Sequence, residues 1–341
     1  MKPSSKGLIS VVIIAAVIGV IVYGGGGYVL LNKQSVVDQV HYSQFIPTSS
    51  SKEQVTRSGM SPKGQFLFYA SDPVVLEKTD FNQTCSTATS DSSVLGCYIT
   101  ATGHIYLYHQ TDKRLDGEEE VMAAHEMLRA VWQRMSAAQR DALVPELTHV
   151  LATNEDTRLD LKSRYDNVVR NDPNDRYGEL YAMLGTEVPN VGTALEASYA
   201  PYFVKRSTVT KLNEFAIAYV VALTTQITSF DDELTATDAH IKVRKKAITA
   251  AIKVYNSDVS KFNARAEAFG GFASEGQFNV ARNGLESRRN SLNAQIKKIN
   301  KTIDAYNAQL KQLNGLLKTA VDLGRSLNTT LTPLPAVTNV A

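Results

Sequence analysis

Three rhythms of apolar and polar positions divide this chain, and each predicts a different kind of element. The first is an unbroken apolar run. Leu8 to Leu31 (LISVVIIAAVIGVIVYGGGGYVLL) is 24 residues without a charge, enough to cross a hydrocarbon core of about 30 Å as a helix. Gly24 to Gly27 weaken its second half, between Tyr23 and Tyr28 at interface depth. Lys2 and Lys6 precede the run and Lys33 follows it. That excess predicts a cytoplasmic N-terminus, with residues 32–341 outside the membrane. A cleaved signal peptide ending among the glycines is the competing reading, although no A-x-A site is evident.

The second rhythm is short and strand-like. Residues 32–60 are polar, which suits a tether. From Gly64 onward the apolar runs shorten. Phe66-Leu67-Phe68-Tyr69 is one, and Gly96–Thr100 and His104–Tyr108 flank Ala101-Thr102-Gly103 as a β-hairpin would.

The third rhythm is helical and governs the chain after residue 116. Asp116-Gly117-Glu118-Glu119 reads as a capping pattern, and Ser136-Ala-Ala-Gln139 as a second capping box. Asp172-Pro173 opens a further helix that runs to Gly185. Beyond residue 205, Leu285, Leu292, Ile296, Ile299, Ile303, Tyr306, Leu310, Leu313 and Leu317 recur at steps of three and four. An earlier stretch from Ile227 to Phe262 does the same less cleanly, and Gly270-Gly271 separates the two. Two long helices folded back as an antiparallel coiled coil satisfy this pattern, the longer spanning roughly 90 Å.

The fold expected is therefore α+β. A cytoplasmic N-terminus (1–7) precedes a transmembrane helix (8–31) and a polar tether (32–60). A globular domain with a small β-hairpin or sheet and several helices (61–205) leads to a coiled-coil helical hairpin (206–327) and a disordered tail (328–341).

Composition narrows the function. The 341 residues carry 36 Lys and Arg against 34 Asp and Glu, a net charge of +2. That balance argues against nucleic acid as a partner, because such affinity rests on neutralising many phosphates. The charge is divided, −6 over residues 1–204 and +8 over 205–341, and a solvated coiled-coil face accounts for the basic half. Cys85 and Cys97 are too few for a disulfide scaffold. On an outer side, where disulfides persist, they can pair across about a dozen residues; two free thiols are the alternative. No phosphate-binding glycine loop follows a strand, and no G-x-S-x-G elbow is present.

One constellation carries chemistry. Ala123-Ala124-His125-Glu126-Met127-Leu128-Arg129 lies in an expected helix. In a zinc peptidase, His-Glu-x-x-His puts two imidazoles on one helical face to share a metal, and the Glu beside the first activates water. Here Arg129 stands at the second ligand position. A later helix offers Glu179. Without further context the same residues describe an amphipathic helix with a satisfied histidine and a surface ion pair.

With its surroundings, the chain resembles the zincin metallopeptidases of the gluzincin arrangement, in particular a membrane-anchored bacterial group with a C-terminal coiled coil. The resemblance runs through Gly96-Cys97-Tyr98, Arg114-Leu115-Asp116-Gly117, Ala123–Leu128 and Leu184-Gly185-Thr186-Glu187, and covers residues 60–205. It implies His125 as first zinc ligand, Glu126 as general base and Glu179 as third ligand. Two positions depart from it, Arg129 and Tyr181, where that group carries histidine. Arginine has no lone pair to give and does not deprotonate, so this departure predicts a degenerate site with no cofactor, Arg129 lying between Glu126 and Glu179 in place of the ion. The expected role is a catalytically inactive envelope interaction or scaffold module, held to the membrane through residues 8–31, with self-association or a protein partner through the coiled coil. The alternatives are an active zinc peptidase with another ligand set and a coiled-coil stalk.

Overall fold

Thr48 and Ser61 each start a helix by the same device. The Thr48 hydroxyl accepts the Ser51 N–H and the Ser61 hydroxyl accepts the Gly64 N–H, so donors that the first turn leaves orphaned are satisfied. In the computed structural model, which describes residues 33–85, 95–154, 160–171 and 173–326, these caps open α2 (Ser49–Ser58) and α3 (Pro62–Ala70), after α1 (Lys33–Gln44). Phe66–Tyr69, expected as a strand, lies within α3, and Pro62 at its first position is preset for a helix. A short apolar run does not by itself distinguish a buried strand from a buried helix. Residues 33–58, expected as a tether, form α1 and α2 and contribute buried side chains, Asp38, Gln54 and Val55 among them.

Three short strands follow. β1 (Val74–Leu76) runs parallel to β3 (His104–Tyr108), which pairs antiparallel with β2 (Gly96–Ile99), giving the order β1-β3-β2. The β2–β3 hairpin sets Gly96 opposite Leu107 and Ile99 opposite His104. α4 (Lys78–Cys85) brings Cys85 to Cys97 on β2, and the two form a disulfide packed on Phe81. It closes a loop of sequence separation 12. Cys85→Ala with Cys97→Ala should lower unfolding stability by roughly 2–3 kcal/mol in urea; an unchanged midpoint would show that the bridge constrains nothing.

The core is built on α5 (Glu118–Arg134), whose Ala123, Ala124, Met127, Leu128 and Ala130 are fully buried. A 3-10 turn (Lys113–Leu115) precedes it, and α6 (Ala137–Thr153), α7 (Leu161–Asn171), α8 (Arg176–Glu187) and α9 (Thr193–Tyr199) follow. α8 crosses α5 closely because position 185 is glycine: a Cβ there would stand 2.3 Å from Leu128 Cδ1. The end of α8 is held by buried Arg206, which donates to the Val188 carbonyl at 2.7 Å, the Pro189 carbonyl at 2.7 Å and the Gly185 carbonyl at 3.2 Å. Carbonyls that a helix end leaves orphaned are satisfied in this way.

The capping box at Ser136 and Gln139 opens α6 as the sequence predicts. Asp116 does not cap α5. Gly117 takes that position, and Asp116 instead pairs with Arg57 at 3.0 Å. Likewise α8 begins at Arg176 rather than at Asp172-Pro173.

The described residues up to 219, with 323–326, form one compact unit, and residues 220–322 a second. The second contains most of α10 (Ser207–Glu267) and α11 (Glu275–Ser326), joined through a turn with Gly270 at φ 70°. Within it Ile241, Ile248 and Ile299 are buried together, with Ile252, Ile296, Ile303 and Tyr306 against them. Phe262, Phe272 and Phe278 cluster near the turn. Arg288 reaches across to Asp258 at 2.7 Å.

The expected fold class is corrected on two points. The described residues are 78% helical, and their sheet is a minor three-stranded element, so the described part is predominantly helical rather than α+β. Among the described residues no helix is long and apolar enough to cross a membrane, so the transmembrane helix expected at 8–31 is not among the described elements of this fold. Residues 8–31 and the tail 328–341 lie outside the described residues.

Candidate functional site

Residues four apart on a helix share a face, so α5 presents His125 and Arg129 together toward α8. The first turn of α8 answers with acids. His125 Nε2 stands 3.1 Å from Glu179 Oε1, and Arg129 Nη1 forms an ion pair with Glu179 Oε2 at 2.9 Å. Arg129 Nη2 pairs with Asp175, whose other carboxylate oxygen accepts Gln133 Nε2 at 3.3 Å. Asp175 and Glu179 stand where the helix N-terminus favours negative charge. All the members are largely buried: His125 is 4% exposed, Glu126 1% and Arg129 8%.

Glu126 lies against the start of β2. Gly96 leaves room for it, since a Cβ there would stand 3.0 Å from Glu126 Cγ. Glu126 Oε2 and Arg129 Nε both lack a hydrogen-bond partner.

The charges shape each other's titration. Burial opposes ionisation of Glu179, but the His125 and Arg129 cations overcome it and hold the carboxyl well below its ordinary range. Burial also opposes the His125 cation, and the Glu179 carboxylate reverses that, so the imidazole is raised. Glu126 has no such partner. Burial pushes it up to about 7, with Arg129 and His125 only partly opposing.

The structure thus gathers His125, Arg129 and Glu179, and it differs from expectation in one respect. Arg129 lies between Asp175 and Glu179, not between Glu126 and Glu179. Asp175 was missed in the sequence because its side chain matters only once α8 is laid on α5. Tyr181 is not part of the cluster. Its ring is fully buried between Trp132, 5.4 Å away, and Tyr199, 4.6 Å away. A cleft of about 510 Å³ opens on Trp132, Gln133, Arg140, Asp141 and Tyr177, next to the Gln133–Asp175 contact.

No protein family, curated protein or solved structure is matched by this chain. Its chemistry therefore rests on the cluster itself.

The donor set does not fit a zinc ion. Catalytic zinc takes three protein lone-pair donors and keeps one position open. Here His125 and Glu179 are the available donors, their facing atoms already paired, and a permanent cation stands at the second ligand position. The arrangement can bind charge to charge, and it holds two helices together.

Proposed function

We propose that this is a zincin-like protein without catalysis, whose former metal position is filled by the Arg129 guanidinium and which acts as an interaction or scaffold module. The observation that carries this reading is the bonding of Arg129 to both Asp175 and Glu179, four residues after His125. A planar guanidinium can answer two carboxylates at once, here through a charge-assisted hydrogen bond to Asp175 and an ion pair with Glu179, as a bound cation would. The Cys85–Cys97 disulfide supports an oxidising, extracytoplasmic setting for the globular unit. In the second unit, the apolar seam between α10 and α11 is closed within the chain, which leaves the outer faces of the hairpin for a protein partner.

The test is to restore the missing donor. Arg129→His should acquire zinc that the parent does not hold at this cluster, and His125→Gln in the same variant should remove it, measured by elemental analysis. Stoichiometric zinc in the parent that is lost on His125→Gln would overturn the reading. So would chelator-sensitive peptide cleavage by the parent that is lost on Glu126→Gln.

A further inference from the structure

Two histidines and one aspartate that have no part in the Arg129 cluster meet elsewhere on the globular unit. His41 lies in the last turn of α1, Asp72 in the turn after α3, and His104 at the start of β3. His41 Nδ1 stands 2.5 Å from Asp72 Oδ2, and His104 Nε2 stands 3.5 Å from the same oxygen. All three donor atoms lie within 4.8 Å of one another. Among the described residues this is the one such group of His, Cys, Asp or Glu side chains. We propose that His41, Asp72 and His104 form a binding site for a divalent transition-metal ion of the zinc class, independent of the Arg129 cluster.

The donor chemistry fits. Two imidazoles and one carboxylate suit borderline divalent ions. Around tetrahedral zinc, bonds of about 2.0–2.2 Å put neighbouring donor atoms about 3.3 Å apart. The observed separations fall on both sides of that figure, so side-chain adjustments of about an ångström bring the three atoms around one ion. Each side chain is about one-third exposed, at 35%, 31% and 33%. The ion would therefore keep an open position toward water, the arrangement of a reactive rather than a closed structural site.

The site is also held in place from behind. Asp38, one turn before His41, is buried and takes two bonds from Arg134 of α5, at 2.7 Å and 2.8 Å. Tyr42 packs on Phe66 and Tyr69 of α3, which fixes α1 against the helix that leads to Asp72. The Ser71 carbonyl accepts the Ile105 N–H at 2.9 Å, joining the Asp72 turn to the strand that begins at His104. Asp72 itself is in the left-handed region at φ 43°, a conformation that aspartate and asparagine tolerate better than most residues. Ligands on rigid, mutually braced elements lose little freedom when an ion arrives.

The experiment uses tag-free full-length protein stripped with chelator and dialysed against Zn²⁺. One equivalent should bind and should raise the thermal midpoint. Asp72→Asn, which keeps the left-handed backbone accessible, and His104→Gln should each weaken Zn²⁺ binding at least about tenfold and abolish the thermal upshift. His125→Gln should leave both unchanged. Absence of Zn²⁺ binding by the parent, or binding that survives both Asp72→Asn and His104→Gln, would overturn the proposal. Binding lost on His125→Gln instead would overturn it too, and would count separately against the metal-free reading of the Arg129 cluster.

Discussion

Arg129→Met should destabilise the globular unit by about 3–5 kcal/mol at neutral pH, the usual loss when one partner of a buried ion cluster is removed. The side chain is replaced by one of similar length, so the loss is electrostatic rather than a cavity. Asp175 and Glu179 would remain largely buried, with Glu179 keeping His125 and the weaker influence of the Arg164 cation. Urea unfolding followed by fluorescence measures this directly, because Trp132, the only tryptophan, is buried on the same helix one turn away. A companion variant separates charge from packing. Asp175→Asn and Glu179→Gln added to Arg129→Met should recover much of the loss, since neutral groups do not carry the penalty of an unpaired charge. A loss below about 1 kcal/mol for Arg129→Met would mean that the cluster behaves like an ordinary surface ion pair.

Glu126→Gln should change the pH dependence of stability more than its value at acid pH. The Glu126 carboxyl is raised from 4.5 to about 7 in the folded protein, so the folded state binds the proton more tightly than the unfolded one. Its contribution is fully present below about pH 4.5 and is lost as pH rises to about 7. The expected loss across that window is on the order of 3 kcal/mol, and glutamine, which does not ionise, escapes it. The raised His125 imidazole acts in the same direction at higher pH, with stability lost as pH rises through its folded value. Glu179, held low, acts oppositely: its contribution is present above its ordinary range and lost only in strong acid. The informative quantity is therefore the stability of Glu126→Gln minus that of the parent, which should rise between pH 4.5 and 7. Parallel profiles would show that Glu126 is not held as a buried acid.

How much of the site could be read from the chain depends on where the partners sit. His125 and Arg129 are on one helix, and their shared face follows from a spacing of four. Glu179 was reachable through the resemblance to the gluzincin pattern, because that pattern names a downstream helical glutamate. Asp175 had no such signal, and its position at the mouth of α8 only acquires meaning beside Arg129. The three residues of the second cluster are more scattered still. The sequence puts His41 in a polar stretch and Asp72 among strand-like runs, so nothing in the spacing sets them beside His104.

The same division holds for the elements. The cap at Ser136, the β2–β3 hairpin and the seam of α10 and α11 are local or periodic, and the amino-acid order alone specifies them. Local signals failed where competing local signals existed: Phe66–Tyr69 suits a strand until Ser61-Pro62 is recognised as a helix start, and Asp116 suits a cap until Arg57 claims its carboxylate. What the order of residues could not decide was which side chains from distant segments converge. Hydrophobic periodicity says that a face is buried but not against what. Only the laying of α8 on α5, permitted by Gly185 and held by Arg206, turns an isolated His-Glu-x-x-Arg into a closed cluster of opposite charges.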